Sequence, residues 1–280
     1  MSLSLSLIIP AYDEASRLGK TLPVIFDYLN AHYPESEVLV VDDGSKDETA
    51  EVAEKSFAVA GGVGASVIRV RPNRGKGYAV RQGLLAARSD IAIFSDADLS
   101  TPIAEMPKLV SAISEGADLA FGSRSLDRGL IGVHQPWRRE QGGKLFNLVV
   151  RLATGLPYWD TQCGFKAFRM TTCRPVVEAA TIDRFGFDVE LLYVAHLAGL
   201  KLKEVAVRWD HNDGSKLSVV SDSLRAFNEI RLIRRQASRG VYDAAIKVAR
   251  AAASRERVGR GRAGDAHEGE SAGELALKAE

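Results

Sequence analysis

Residues 91–98 have the sequence IAIFSDAD, an apolar run that stops at two aspartates separated by one residue. Runs rich in Leu, Ile and Val also occupy residues 3–9, 38–41 and 65–70, and the stretches between them carry apolar residues at helical spacing. Continuous apolar strands that alternate with amphipathic helices indicate βαβ units and a parallel sheet. The sequence therefore predicts an α/β fold, a Rossmann-like, mostly parallel sheet with helices on both faces.

The predicted strands end at polar motifs. These motifs are Tyr12-Asp13-Glu14, Asp42-Asp43, Asp96-Ala97-Asp98 and Ser123-Arg124. Parallel α/β sheets bind their ligands beyond the carboxyl ends of the strands. Each acidic loop taken alone is equally well explained as a solvated turn, but four such coincidences together predict one binding site at this edge.

The composition is that of an ordinary globular protein and excludes several classes. The 280 residues are 46% hydrophobic and carry 37 Lys or Arg against 36 Asp or Glu, so no overall field favours nucleic acid. Two cysteines make no disulfide framework and no zinc motif. No apolar run approaches the roughly 18 residues of a membrane span, and the N-terminus predicts a strand rather than a signal peptide.

The domain organisation follows from the same patterns. We expect one domain over 1–240, with a ligand-binding half at 1–125, a second half at 126–217 and a basic amphipathic helix at 218–240. A basic helical extension at 241–262 and a disordered tail at 263–280 would follow. The second half predicts helices at 144–153, 188–197 and 218–236 and strands at 164–169 and 205–209.

The pair Asp96 and Asp98 suits a hard divalent cation. Carboxylate oxygens are the ligands of Mg²⁺ and Mn²⁺, whose shells are completed by water and by substrate phosphates. Ser100 is near enough in sequence to assist. An alternative is that the two aspartates only cap the helix that follows Thr101-Pro102.

The sequence Asn73-Arg74-Gly75-Lys76-Gly77 is a basic, glycine-spaced loop at the start of a predicted helix. Backbone N–H groups at a helix start attract anions, and the two cations add to this attraction. The loop matches neither the P-loop nor the dinucleotide-binding glycine pattern. A simple solvated loop remains the alternative.

Together these motifs resemble a known family. Ile8-Ile9-Pro10-Ala11-Tyr12-Asp13-Glu14, Val41-Asp42-Asp43-Gly44-Ser45, the 73–77 loop and Ser95-Asp96-Ala97-Asp98 are similar, in order and spacing, to family 2 inverting glycosyltransferases. Residues 160–166 (DTQCGFK), 187–192 (FDVELL), 207–209 (VRW) and 214–217 (GSKL) resemble its dolichyl-phosphate (polyprenyl-phosphate) β-glucosyltransferase branch. The resemblance covers about residues 3–240. Asp13 stands where Asn is more usual, and we expect no N-terminal membrane anchor of the kind found in eukaryotic members.

The resemblance implies a GT-A fold, a nucleotide-sugar donor, Mg²⁺ or Mn²⁺, and a polyprenyl-phosphate acceptor. The implied donor-binding residues are Pro10, Tyr12, Glu14, Asp43 or Asp42, Arg74, Lys76, Asp96 and Ala97. The metal would be held by Asp96, Asp98 and Ser100. The implied catalytic residues are Asp98, Arg124, Asp160 and Lys216, and the phosphates would meet Arg124, Arg138 or Arg139, Ser215 and Lys216. Asp160, Asp188 and Glu190 would orient the acceptor or hold cations, with purely structural ion pairing as the alternative.

The implied chemistry fits these residue types. A sugar that leaves a nucleoside diphosphate places negative charge on the diphosphate, which a cation and Arg or Lys side chains stabilise. The acceptor phosphate is already an anion at neutral pH, because its second pKa lies near 6, so no catalytic histidine is expected.

A polyprenyl acceptor must be met at a membrane surface. Residues 216–262 contain twelve Lys or Arg and four Asp or Glu, a local net charge of +8. An apolar stripe that includes Phe227, Ile230 and Ile233 predicts peripheral attachment at the cytoplasmic face of a membrane. The alternative is a helix packed on the domain with a solvated basic face.

The leading interpretation is therefore glucose transfer from UDP-glucose to a polyprenyl phosphate, with mannose transfer from GDP-mannose as the nearest alternative. A sugar nucleotidyltransferase would use similar parts, but it needs a glycine-rich loop after the first strand, where Pro10-Ala11-Tyr12 stands. A non-catalytic nucleotide-binding protein at a membrane surface would not need Asp98.

Overall fold

The computed structural model describes the backbone of residues 4–133, 137–211 and 219–277, with side chains in the same ranges except 137–139, 219–226 and 261–277. Among these residues seven strands form one sheet in the order β3-β2-β1-β4-β7-β5-β8. The strands are β1 (Leu5–Ala11), β2 (Glu37–Asp42), β3 (Gly64–Arg69), β4 (Ile91–Ser95), β5 (Leu119–Ser123), β7 (Phe165–Arg169) and β8 (Leu202–Ala206), and a small second sheet pairs β6 (Ile131–Val133) with β9 (Trp209–Asp210). All neighbours in the large sheet run parallel except β7, which is antiparallel to β4 and β5. The predicted mostly parallel sheet is confirmed.

Helices cover both faces of this sheet. They are α1 (Ala15–His32), α2 (Thr49–Ser56), α3 (Lys76–Ala86), α4 (Met106–Ser114), α5 (Trp137–Thr154), α6 (Met170–Ala179), α7 (Phe187–Leu197), α8 (Val219–Ser238) and α9 (Asp243–Leu277). Successive strand residues point to opposite faces, so Ile8 packs with α3, α6 and α7 while Ile9 packs with α1 and α4. Each face therefore has its own hydrophobic core, as a buried parallel sheet requires.

Helix α6 was not predicted from the sequence. It contains Pro175 and several Thr, Cys and Val residues, which are weak helix formers. Val176 and Val177 are buried in the core on the side of the sheet that carries α3 and α7. Tertiary packing thus outweighs the weak local preference of this segment.

Part of the apolar stripe predicted to meet a membrane faces the domain instead, while Leu232 of α8 is 43% exposed. Ile230 and Ile233 of α8 are buried in the core, and the ring of Phe227 packs on that of Phe146 in α5 at 5.9 Å. These contacts agree with the alternative interpretation, in which the helix packs on the domain and its basic face is solvated. In the part of the chain that the structure describes, no helix combines the length and apolarity needed to cross a bilayer.

The backbone of α9 continues to Leu277, through most of the segment 263–280 for which composition predicts disorder. Ala, Glu and Leu are strong helix formers, so this segment has a helical preference although it is poor in large apolar residues. At its other end α9 is fixed by Tyr242, whose buried hydroxyl lies 2.7 Å from Oε1 of Glu190 and 2.6 Å from Oε1 of Gln236.

Removing that hydroxyl tests how α9 is fixed. Tyr242→Phe keeps the ring but takes a donor from the buried Glu190 carboxylate, so we expect the free energy of unfolding to fall by about 1–2 kcal/mol. Urea denaturation measures the change, and Val241→Ala, at a side chain that is half exposed, is the matched control. A loss below about 0.5 kcal/mol for Tyr242→Phe, as for a surface change, would contradict the role of this contact.

Candidate active site

The site lies where β4 ends and β7 begins. Ser95 pairs with Phe165, and the reversed direction of β7 brings its first residues to the same edge as the carboxyl end of β4. The amide of Asp96 donates to the carbonyl of Gly164 at 3.1 Å. A Cβ on Gly164 would collide with the carboxylate of Asp96, so only glycine permits this approach.

Lys76 is the cation nearest to this edge. It is the first residue of α3, and its Nζ lies 2.5 Å from Oδ1 of Asp96. Burial lowers the pKa of Lys76, but the carboxylates of Asp96, Asp188 and Asp98 outweigh this effect and raise the pKa above its ordinary value. Lys76 is therefore a firmly charged ammonium group among three acidic residues.

A second ion pair, which is buried, lies next to the half-buried first one. Lys166 in β7 has no exposed surface, and its Nζ donates to Oδ1 of Asp188 and to the carbonyl of Cys163, both at 2.6 Å. Burial raises the pKa of Asp188, although the charges of Lys166 and Lys76 oppose the shift. The charges thus alternate from Asp96 through Lys76 and Asp188 to Lys166. In this structure Asp188 has the ion-pairing role that the sequence left as the alternative to acceptor orientation.

Asp98 follows Asp96 on a tight turn. Its Oδ1 accepts from the amide of Ser100 at 2.9 Å, and Leu99 between them has a φ of +49°. Ser100 itself is buried, and its carbonyl accepts from the amide of Asp210 at 2.8 Å. The turn is therefore fixed on both sides.

The donor set of Asp96, Asp98 and Ser100 fits a hard divalent cation. Within residues 4–133, 137–211 and 219–277, no group of three or more His, Cys, Asp or Glu side chains is arranged to hold a metal. A cation here would need further oxygen ligands from outside the chain. Mg²⁺ and Mn²⁺ accept such a site, because they keep water and take substrate phosphates as ligands.

Arg124, directly after β5, forms a two-pronged ion pair with Asp160. Nε and Nη2 of Arg124 donate to the two carboxylate oxygens at 2.6 and 2.8 Å, and the amide of Arg124 donates to Oδ2 at 3.0 Å. Burial would raise the pKa of Asp160, but the Arg124 charge and hydrogen bonds lower it below its ordinary value. The guanidinium carbon lies 5.5 Å from the centre of the Trp209 ring. Arg124 is thus a fixed cation at the edge, and Asp160 positions it.

Asp42, the last residue of β2, and Asp43, directly after it, both accept hydrogen bonds from backbone amides. Oδ1 of Asp42 accepts from the amide of Ser45, while Asp43 accepts from the amides of Arg74 and Gly75 at 2.9 and 2.6 Å. Burial raises the pKa of Asp43, and the two amides oppose the shift. Asp43 thereby fixes the 73–77 loop.

Arg74 points to a partner that sequence reasoning missed. Its Nη2 lies 2.7 Å from Oδ2 of Asp183, and its guanidinium stacks over the Tyr78 ring at 4.3 Å. Arg81 binds the other oxygen of Asp183 at 2.7 Å. In this structure Arg74 therefore joins the 73–77 loop to the loop before α7, and Arg81 of α3 binds the same carboxylate.

The remaining predicted donor residues surround the same edge. Pro10 is buried in β1 beside Val41, and Tyr12 is half-buried just beyond the strand. Glu14 forms an ion pair with Arg17 at 2.8 Å, and the carbonyl of Ala97 accepts from Oγ1 of Thr21 at 3.0 Å. These contacts fix the loops but leave the assignment to base and ribose as a prediction.

Some predicted residues are not placed. Ser215 and Lys216 lie outside the described residues, and Arg138 and Arg139 lie on α5 with side chains outside them. Glu190 is described and is structural in its contacts. It accepts from the amides of Thr181 and Ile182 and from the hydroxyl of Tyr242.

The described residues gather Asp96, Asp98, Lys76 and Arg124 at one edge of the sheet, which suits a polyanionic ligand that carries a divalent cation. Residues 6–174 match the family described as Glycosyl transferase family 2, and the chain belongs to that family and is a glycosyltransferase.

Named relatives agree with this assignment. The chain is 40% identical over 231 residues to a dolichyl-phosphate beta-glucosyltransferase of Drosophila melanogaster, an alignment that covers 78% of this chain and 70% of the relative. The Homo sapiens protein of the same name is 32% identical over 244 residues, covering 82% and 74%. The predicted resemblance is confirmed.

Solved structures confirm the GT-A-type fold. Glucosyl-3-phosphoglycerate synthase of Mycobacterium tuberculosis superposes with a TM-score of 0.58 at 20% identity, covering 82% of this chain and 80% of that one. Mannosyl-3-phosphoglycerate synthase of Rubrobacter xylanophilus gives a TM-score of 0.59 at 19% identity, covering 85% and 75%.

The close approach of Gly164 to Asp96 makes a sharp test. Gly164→Ala must push the carboxylate or the strand start away, so we expect kcat/KM for glycosyl transfer to fall about 100-fold. Gly143→Ala is the control, since a Cβ there meets no atom within 4 Å and should leave the rate unchanged. Equal rates for Gly164→Ala and wild type would contradict a role for this geometry.

The ion pair of Asp160 predicts a pH dependence. Because the folded pKa lies below the ordinary value, the pair stabilises the fold above about pH 4 and loses this contribution as the pH falls through the lowered pKa. Asp160→Asn should cost about 3 kcal/mol of unfolding free energy at neutral pH, and the difference from wild type should shrink below about pH 4. Urea denaturation across pH measures it, with Asp27→Asn on the exposed side of α1 as control. A difference independent of pH would refute the assignment.

Proposed function

We propose that this enzyme transfers glucose from UDP-glucose, with inversion, to a polyprenyl phosphate of the dolichyl type at the cytoplasmic face of a membrane. The observation that carries the proposal is the meeting of Asp96, Lys76 and Gly164 at the end of β4. The names of the relatives support the sugar and the acceptor. A solved neighbour in complex with Mn²⁺ and uridine diphosphate supports the donor and the cation.

The cation would be Mg²⁺ or Mn²⁺, held by Asp96 and Asp98 with Ser100 beside them. When bound, it would neutralise negative charge that grows on the departing diphosphate. The chain's own cations act on the same charge. Lys76 begins α3, so its ammonium group lies at the positive end of the helix dipole, and both favour a phosphate.

Arg124 supplies the second cation of the site. Its ion pair with Asp160 fixes the guanidinium before any ligand arrives, so little ordering is needed on binding. We assign the remaining contacts to donor or acceptor phosphates to Arg138 or Arg139, Ser215 and Lys216. The acceptor oxygen is ionised at neutral pH, and the reaction therefore needs no strong general base.

Incubation with labelled donors tests the proposal. With Mg²⁺ and a short polyprenyl phosphate, we expect labelled glucose from UDP-glucose in the lipid product. Asp98→Asn should lower this rate at least about 100-fold, since charge stabilisation in the transition state is lost, while Asp90→Asn on an exposed turn should not change it.

The outcomes separate the alternatives. Label transferred only from GDP-mannose would replace glucose by mannose in the proposal. Wild-type turnover of Asp98→Asn would overturn the cation site, and transfer to no polyprenyl phosphate would overturn the acceptor.

A further inference from the structure

An apolar stripe lies on the outer face of α5. Leu145, Leu148 and Leu152 are 61%, 49% and 78% exposed, and their spacing of three and four residues places them on one side of the helix. The opposite side packs on the protein through Asn147 and Val150, which are buried. The packing partner α8 also lies on that inner side, since Phe146 meets Phe227 there.

Trp159 extends this stripe. It is 56% exposed, and the guanidinium carbon of Arg151 in α5 lies 4.1 Å from the centre of its ring. Trp and Arg side chains with an apolar body and a polar tip are favoured where hydrocarbon meets water. We call Leu145, Leu148, Leu152 and Trp159 the α5 face.

The charges around the α5 face favour an anionic lipid surface over a second copy of this chain. Lys144 and Arg128 share one carboxylate, Glu140, Arg151 adds a third cation, and Glu204 accepts from the amide of Trp159, so these described side chains sum to +1. A second copy docked about a two-fold axis would bring these cations together, which is unfavourable. Anionic lipid headgroups would instead be attracted, by about 1 kcal/mol for each basic residue near the surface.

The α5 face is also tied to the site. Nδ2 of Asn147 donates to the carbonyl of Trp159 at 2.5 Å, and Oδ1 of Asn147 accepts from Oγ1 of Thr161 at 3.1 Å. Asp160, between these two residues, holds Arg124. A surface that binds the α5 face therefore lies next to the chain segment that positions the site's arginine.

We propose that the α5 face docks on an anionic lipid bilayer and orients the site towards the membrane. The choice of a lipid surface rests on the proposed function, because a polyprenyl phosphate is delivered from a membrane. Insertion of the leucines and the tryptophan would remove their exposed apolar surface from water, and the basic rim would stay at headgroup level. The proposed membrane contact thus includes α5.

Flotation with vesicles of phosphatidylcholine and phosphatidylglycerol tests this assignment. Leu148→Gln with Leu152→Gln keeps good helix formers but removes two apolar contacts, so we expect binding to fall at least about tenfold. Val24→Gln, at a side chain of α1 that is 52% exposed, is the matched control and should bind as wild type does. Thermal unfolding of each variant checks that the fold is kept.

A water-soluble, short isoprenyl phosphate separates this inference from the proposed function. The double variant should transfer sugar to it at the wild-type rate, because the α5 face does not touch the reacting groups. Vesicle binding without any transfer by wild type would overturn the proposed function and leave the lipid contact standing. Equal flotation of wild type and double variant, no flotation of wild type, or a change of oligomeric state alone would overturn the contact.

Discussion

A lysine with no exposed surface in the middle of a sheet controls the arrangement of the site. Lys166 must find a carboxylate, since a buried ammonium without a partner costs several kcal/mol. It finds Asp188 of α7 and the carbonyl of Cys163. These bonds fix the start of β7 against α7, and two residues earlier Gly164 lies against Asp96. The register of this one strand thus fixes the position of Asp96.

The alternating charges stabilise the site and hold its side chains in place for ligand binding. Asp96, Lys76, Asp188 and Lys166 each have an opposite charge as neighbour, and Arg124 has Asp160. No group in this series must wait for a ligand to compensate its burial. A ligand that carries both phosphates and a cation can therefore exchange partners with Lys76 and Asp96 without leaving a buried charge alone. The charged side chains of the site are therefore held in place by ion pairs within the chain before a ligand binds.

The sheet and the location of the site could be predicted from the sequence, because continuous apolar runs and the polar residues after them are local signals. The antiparallel direction of β7 is not local: residues 164–169 indicate a strand, but only the positions of β4 and β5 decide its direction. The lysine in that strand signals that a carboxylate must lie nearby, yet it does not say which. Asp183 carries no signal at all, since its role depends on α3 and on the loop before α7 meeting in space.

The place of β7 also has a consequence for synthesis. The strand lies between β4 and β5, although it follows both in the chain. During synthesis, the backbone amides and carbonyls along one edge of β4 therefore remain unpaired until residues 165–169 leave the ribosome. An unpaired strand edge can pair with other extended segments, including one from a neighbouring nascent chain. Asp188 follows β7 in the chain, so its ion pair with Lys166 favours β7 over a foreign segment only once both have left the ribosome. The residue that orders the finished enzyme thus also favours the native strand at the step that completes the sheet.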